Sequence, residues 1–260
     1  IDDLKGHTLV SASTLDASLR GAEGDKSALA GKVGALYASF MNTDTIESLG
    51  IEPILDQLAF AQNVSTVSSL LDTVARLEFH GVGGFMQVFV DNDPGQPDRY
   101  LVFLEQGGMN LPDESYFRDE KFASIREAYL SHIQRMLELV DAASPNTFGL
   151  DPAAVRAQRI FDLEHDIAAI HWDNVRSRDS VETYNPMPFA EVRTLVAEGA
   201  LDLIDDQTDA GLAHAEHVPD LATWLAGLHA PAGSFDTVVV RQPSFLEGLG
   251  KLFVSERLQD

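Results

Sequence analysis

Phe122, Ile125, Tyr129, Ile133, Met136, Leu137 and Val140 follow one another at steps of 3, 4, 4, 3, 1 and 3. Only a helix brings residues at those steps onto one face, so the spacing predicts a single amphipathic helix over residues 119–141, about 35 Å long at 1.5 Å per residue. A stripe of that length has to be covered, and the sequence beyond it supplies a cover. SPNTFGLDP (144–152) reads as a loop, and Pro152 suits the first turn of a following helix. Val155, Ile160, Leu163, Ile167, Ile170 and Val175 then mark a second long helix, expected to reach about Arg178.

Shorter helical patterns surround this pair. Leu29, Val33, Leu36, Tyr37 and Phe40 predict a helix over 28–41, and Asp44 or Thr45 can cap a short one ending at Gly50. Residues 53–61 and 64–79 add two more, the second with Val67, Leu70, Leu71, Val74 and Leu77 on one face. Gly81, Gly83 and Gly84 stop it, and the period changes. FMQVFV and RYLVFLE are rich in β-branched and aromatic residues, and DNDPGQPD between them is dense in turn formers, which predicts a hairpin over about 85–105 with a long tip. Further on, ETYNPMPFAEV breaks the second long helix with two prolines, and residues 189–198 and 221–228 read as short helices. LDLIDDQTDAGLAHAEHVPD reads as an exposed insertion. DTVVVRQP offers a short strand near 237–241, and residues 244–258 form a terminal helix with Phe245, Leu249, Leu252 and Phe253 along one side. The expected class is mainly α: a multi-helix domain with one β-hairpin and one short strand.

Between hairpin and long helix lies GGMNLPDESYF (107–117). Gly107 and Gly108 allow backbone angles closed to other residues, and Pro112 pushes Leu111 toward extended structure. Asp113, Ser115 and Asp119 are competent caps, and Tyr116 and Phe117 can pin the entry angle by packing on the following turns. The stretch reads as a shaped strand-to-helix joint.

Charge narrows the partners. A formal net charge of -23, from 18 basic and 41 acidic residues, repels phosphate backbones and anionic head groups over about 8 Å at physiological salt. Neither nucleic acid nor membrane is an expected partner, and no apolar run is long enough to span a bilayer. Zero cysteines exclude disulfides and thiolate chemistry and favour a reducing, cytoplasmic compartment. The chain begins at Ile1 without Met, so a signal that preceded it would have been lost, and secretion stays open.

Most catalytic patterns are missing. The sequence has no Gly-x-x-x-x-Gly-Lys loop, no Gly-x-Gly-x-x-Gly and no Gly-x-Ser-x-Gly elbow. His165 and His171 lie six apart on the second long helix, about 240° around its axis, and are not expected to share a metal from it. His214 and His217, with Glu216 between them, could converge on one face of a helix, but their acidic, Pro-terminated setting reads as a solvated loop. Asp205 with Asp206, and Glu114 with Asp119, read as solvated faces and caps.

GGMNLPDESYF followed by a long helix resembles the neprilysin family of zinc metallopeptidases, which includes endothelin-converting enzymes, bacterial PepO-type enzymes and mycobacterial zinc peptidases. The family pattern is Gly-x-x-Leu-Pro-Asp-x-x-Tyr-Tyr. Gly108, Leu111, Pro112, Asp113, Tyr116 and Phe117 match it, with Phe in place of the second Tyr. LYASFMNTDTIESLGIEPI resembles the upstream block and HIQRMLELV the continuation. LEHDIAAIHWDNVRSRD and TYNPMPFAEV, with Glu164, Tyr184 and Asn185, resemble the block ending in Tyr-Asn-x-Met, and VVVRQPSFLEGL resembles a last strand and helix of the family's N-terminal half. The likeness is greatest to actinobacterial members. Animal members carry a cysteine in the block that here reads Ser39-Phe40-Met41.

The resemblance implies that residues 1–260 are the N-terminal, chamber-forming portion of a peptidase, which walls a cavity admitting small peptides. Its catalytic C-terminal half would be the missing partner and would hold the zinc. The family's chemistry needs His-Glu-x-x-His and a later Glu-x-x-x-Asp. His-Glu-x-x-His does not occur, and Glu-x-x-x-Asp occurs at four places, as chance allows in so acidic a chain. No catalytic or metal-binding residue is therefore assigned, and the chain alone is expected to hold no cofactor and to be inactive. The alternative reading is a free-standing, non-catalytic helical module that binds peptides or proteins.

Overall fold

The computed structural model describes residues 29–145, 149, 151–202 and 218–254. Contacts divide the chain at Leu55/Asp56 into two compact units. The described part of the first contains helices α1 (Leu29–Met41) and α2 (Thr43–Leu49). Asn42, rather than Asp44 or Thr45, caps α2: its side chain accepts from Thr45 N, and Gly50 ends the helix at φ 54°.

The second unit begins within α3 (Leu55–Gln62) and continues through α4 (Val67–Phe79), β1 (Met86–Asp93), β2 (Gln96–Gln106), α5 (Ser115–Arg118), α6 (Ala123–Ala143) and α7 (Ala153–Ile170). It ends with β3 (Asn185–Pro188), α8 (Phe189–Leu201), α9 (Leu221–Gly227), β4 (Thr237–Val240) and α10 (Pro243–Phe253). The mainly α class holds. The described strands form one sheet in the order β1-β2-β4-β3. β1 and β2 are antiparallel from Met86↔Gln106 to Asp93↔Gln96, β2 and β4 are parallel, and β4 and β3 are antiparallel. β3 was not expected: its sequence, NPMP, reads as a helix breaker. Two prolines fit there because β3 lies at a sheet edge, where half of the backbone N–H groups have no ladder partner to lose.

The hairpin tip is also shorter than its turn formers suggest. A register shift at Asn92/Asp93 turns the Asp93 carboxylate inward, where it accepts from Tyr184 Oη at 2.5 Å, Arg99 Nε at 2.6 Å and Gly95 N at 2.8 Å. The Tyr184 hydrogen bond outweighs burial and, with Arg99, lowers the Asp93 pKa to about 2. Asn185 Nδ2 donates to Val240 O at 3.0 Å. Tyr184 and Asn185 thus tie β3 to the hairpin tip and to β4.

The core gathers around the sheet: Val238 and Val240 from β4, Val192 and Val196 from α8, Trp224 from α9, and Leu71 from α4 are all buried. α8 and α10 cross so closely that a Cβ on Gly199 would fall 2.0 Å from Glu247 O, and one on Gly250 2.0 Å from Val196 O. The Phe245, Leu249 and Phe253 stripe of α10 is no more than 2% exposed. That stripe is spent inside its own unit. Apolar exposure lies elsewhere, for instance at Ile125, Met136 and Leu139 of α6.

α6 packs along α7, and the buried Arg156 guanidinium of α7 bonds Asp141 of α6. α7 stops at Ile170, earlier than the expected 178. Asp173 Oδ1 accepts from the N–H groups of Val175 and Arg176, a local turn that competes with helix. Trp172 is folded inward, its N–H donating to Gln106 Oε1 and its Nε1 to Ser244 Oγ, and Val175 is left 82% exposed. Among the described residues no helix is long and apolar enough to cross a membrane.

Candidate functional site

The joint between β2 and α6 is built as a knot. Gly108 adopts φ +84°, and a Cβ there would meet Ile167 Cγ2 at 3.3 Å, so both backbone angle and space require glycine. The turn delivers Asn110 to α7, where its N–H and side-chain amide donate to the two oxygens of Glu164 at 3.3 and 2.7 Å. Tyr129 of α6 donates its hydroxyl to the same carboxylate at 2.7 Å. Glu164 is only 6% exposed, so one buried carboxylate binds the exit of the hairpin to both long helices. Burial, and then the adjoining Glu164, raise the pKa of Tyr129 and keep it a donor.

The rest of the motif continues the clasp. Leu111 is half-buried and Pro112 exposed. Asp113 Oδ1 accepts from Ser115 N at 2.9 Å and Oγ at 2.5 Å, starting α5, while Oδ2 accepts from Asn174. Burial opposes ionisation of Asp113, yet these bonds hold its pKa below the ordinary carboxylate value. Tyr116 stacks on Phe122 with centroids 3.9 Å apart. Phe117 is buried against Phe161 and the edge of His165. Asp119 gives no side-chain cap; its carbonyl, with that of Tyr116, instead accepts from Arg126.

His165 and His171 do meet one cavity, of about 400 Å³, together with Glu114, Phe117, Arg118 and Asp173, because α7 ends before His171 and frees it from the helical angle. His171 Nε2–H is committed to Gly107 O at 2.8 Å, and burial lowers its pKa despite that carbonyl. Arg118 is paired to Glu114 through two nitrogens. Among the described residues no group of three or more His, Asp or Glu could hold a metal ion; the donors on hand do not fit zinc. His214 and His217 lie outside the described residues, as do Asp205 and Asp206.

A larger groove, about 880 Å³, opens where the hairpin begins and ends. Its walls are Gly81–Val88, Gly107–Asn110, the ends of α4 and α7, and the loop after α9. Among the described residues, the charged groups that line it are Glu164 and Glu78. Glu78 Oε2 accepts from Trp224 Nε1 at 2.6 Å, whereas its buried Oε1 has no hydrogen-bond partner. Burial, only partly opposed by the Trp224 bond, pushes the Glu78 pKa up to about 7.

Of these groups, the sequence motif names Gly108, Leu111, Pro112, Asp113, Tyr116, Phe117 and Glu164. Asn110, Tyr129 and His171 were not assigned to the joint, although a glutamate between Leu163 and Ile167, on an inward-facing stripe, was a signal that polar partners had to meet it. Glu78 gave no signal, since it sits at an ordinary helix end.

Helices on a small mixed sheet, with a clasped hairpin-to-helix joint, form the architecture of the N-terminal region of neprilysin-like metallopeptidases. The inhibitor complex of the Mycobacterium tuberculosis zinc metalloprotease Zmp1 matches with a TM-score of 0.77 and 32% identity, over 94% of this chain and 34% of that one. PepO from Lactobacillus rhamnosis shares the fold at a TM-score of 0.60 and 18% identity, over 99% of this chain and 38% of that one. Endothelin-converting enzyme 1 of Cavia porcellus is 24% identical over 173 residues, 63% of this chain and 22% of that protein. Residues 8–260 match the N-terminal model of peptidase family M13, and the chain belongs to that family. It spans about a fifth of the length of the curated relatives and about a third of the solved ones.

Proposed function

We propose that the chain is the N-terminal, chamber-forming part of a neprilysin-like zinc endopeptidase that hydrolyses small peptides, with the zinc and the general base carried by a further region of a longer polypeptide. The observation that carries this reading is the match of residues 8–260 to the family in a chain covering 34% of Zmp1. The exposed Ile125, Met136 and Leu139 on α6 support it, since apolar faces on a folded unit mark surfaces that pack on something else. The signature residues then serve as architecture: Gly108 to Phe117 and Glu164 fix the joint, and Tyr184 and Asn185 brace the sheet.

The test is to read the coding DNA beyond Asp260 and to express any downstream region with and without this chain. A downstream His-Glu-x-x-His and chelator-sensitive cleavage of a quenched fluorescent peptide, present only when both parts are combined, are the expected results. A stop codon directly after Asp260 would leave the free-standing binding module as the better reading. Stoichiometric zinc and turnover in the 260-residue chain by itself would contradict the proposal.

A further inference from the structure

We propose that Glu78 is a proton-operated latch on the glycine-rich segment 81–84: the protonated carboxyl lets the segment close over it, and ionisation lifts the segment away so that water reaches the carboxylate. Every part of the device lies in this chain, so it stands independently of the chamber reading.

The carboxyl is enclosed with half of its partners. Glu78 Oε2 accepts from Trp224 Nε1 at 2.6 Å, while Oε1 is shut away from solvent without one. Gly84 closes over that oxygen, which lies 1.7 Å from where a Cβ at position 84 would stand. A neutral carboxyl tolerates one idle oxygen; an ionised one, with half of its charge there, needs donors or water. Glu78 also lies in the last turn of α4, where the carbonyl end of the helix opposes a further negative charge. Relief is close at hand. The bonds that cap α4 end with Gly81 N–H to Glu78 O and Val82 N–H to Leu77 O, and pairing in the sheet starts at Met86. Between them, residues 83–85 make no backbone–backbone hydrogen bond among the described residues, and Phe85 is held by its ring against Phe253. A Cβ on Gly81, at φ +85°, or on Gly83 would meet nothing within 4 Å. Moving residues 83 and 84 therefore breaks no backbone bond, has room, and uncovers Oε1.

The charged groups around Glu78 come from four elements. On α4, Asp72 and Arg76 are paired with each other, and His80 follows the helix end. On α9, Asp220 at the start is paired with Arg193, and His229 beyond the end meets the Phe79 ring, as His80 does. On α7, across the groove, Glu164 is held by Asn110 and Tyr129. In β1, residues 86–90 carry no charge. Burial outweighs the indole bond and pushes the Glu78 pKa up to about 7, which sets the latch to turn near neutral pH.

The experiment uses the 260-residue chain, whose lack of cysteine lets Gly83→Cys carry a single nitroxide label. Electron paramagnetic resonance from pH 5.5 to 8 then reads the ratio of mobile to immobile label. That ratio is expected to rise at least about fivefold, with a midpoint near pH 7, since each pH unit above the midpoint can shift a one-proton equilibrium up to about tenfold. Adding Glu78→Gln, which keeps an acceptor for Trp224 and cannot ionise, is expected to leave the label immobile throughout. Any contribution of His80 or His229 persists in that variant and is subtracted with it. A melting curve confirms that the variant folds. If it does not, the Trp224 indole N–H resonance decides without it: in the otherwise native chain it should titrate with the same midpoint as the label. A label whose mobility ignores pH, or changes equally in the glutamine variant, overturns the proposal. So does an indole resonance that titrates while the label stays immobile, because Glu78 would then ionise without opening the segment.

Discussion

The two ends of the hairpin begin alike and finish differently. Each is marked by glycines, each meets a helix, and each brings a glutamate to the same groove. At the exit, Gly108 turns the chain so that Asn110 and Tyr129 satisfy both oxygens of Glu164. At the entry, Gly84 makes room for Glu78, which finds only Trp224 and keeps one oxygen without a donor. A buried carboxylate with all its partners fixes a fold; one with half of them costs stability. The difference separates a satisfied joint from an unsatisfied one within one strand pair.

The largest expected effect falls on the closed end. Glu164→Leu leaves the Asn110 amide and the Tyr129 hydroxyl without their acceptor in a buried place, and should cost roughly 3–5 kcal/mol. Urea unfolding measures it, and the double variant with Tyr129→Phe should recover part of the loss, because one stranded donor is gone. If Glu164→Leu left the midpoint unchanged, the exit would be no better fixed than the entry and the comparison would fail.

Gly108→Val comes next. A β-branched residue at φ +84° that must also displace Ile167 should lose about 2–3 kcal/mol. Gly83→Val, at the open end, meets nothing within 4 Å and carries no positive φ, and should change stability by less than about 0.5 kcal/mol. Equal effects from the two substitutions would show that the glycines at the two ends are there for the same reason.

How much of this was legible beforehand follows from the range of the forces involved. The long helices, the hairpin and the joint were read from spacing and turn chemistry, which act over a few residues, and the family pattern pointed at Glu164. β3 was missed because two prolines weigh against a strand anywhere but an edge, and edge position is a property of the whole sheet. The early end of α7 was missed because Val175 continues the apolar spacing past the local Asp173 turn, while the inward Trp172 depends on Gln106 and Ser244, 66 and 72 residues away. The terminal helix was read with its stripe, but spacing does not say what covers it. The stripe is covered by α7 and α8, across an approach that Gly199 of α8 and Gly250 of α10 permit. Glu78 was invisible for the same reason: its burial is set by Trp224, 146 residues on.

The smallest effect is the one most specific to the open end. Glu78 has a folded-state pKa of about 7 against an ordinary 4.5. Between those values the folded chain keeps a proton that the unfolded chain has released, so stability falls as pH rises through that window and the loss is complete above about pH 7. Allowing for its partial exposure, the expected loss is about 1–2 kcal/mol. Other groups slope the other way. Asp93, Asp113 and Asp220, all lowered from 3.8, add stability as pH rises, but have done so before the window opens. His171, lowered from 6.5, loses stability as pH falls below that value and so runs against Glu78 within the window. Subtraction removes it: urea midpoints of the native chain and of Glu78→Gln, taken from pH 4 to 8, share the His171 slope and differ only by the glutamate. The difference should grow in favour of the glutamine variant between pH 4.5 and 7 and then level off. A flat difference would mean that Glu78 is as well satisfied as Glu164, and that the two ends of the hairpin are closed alike.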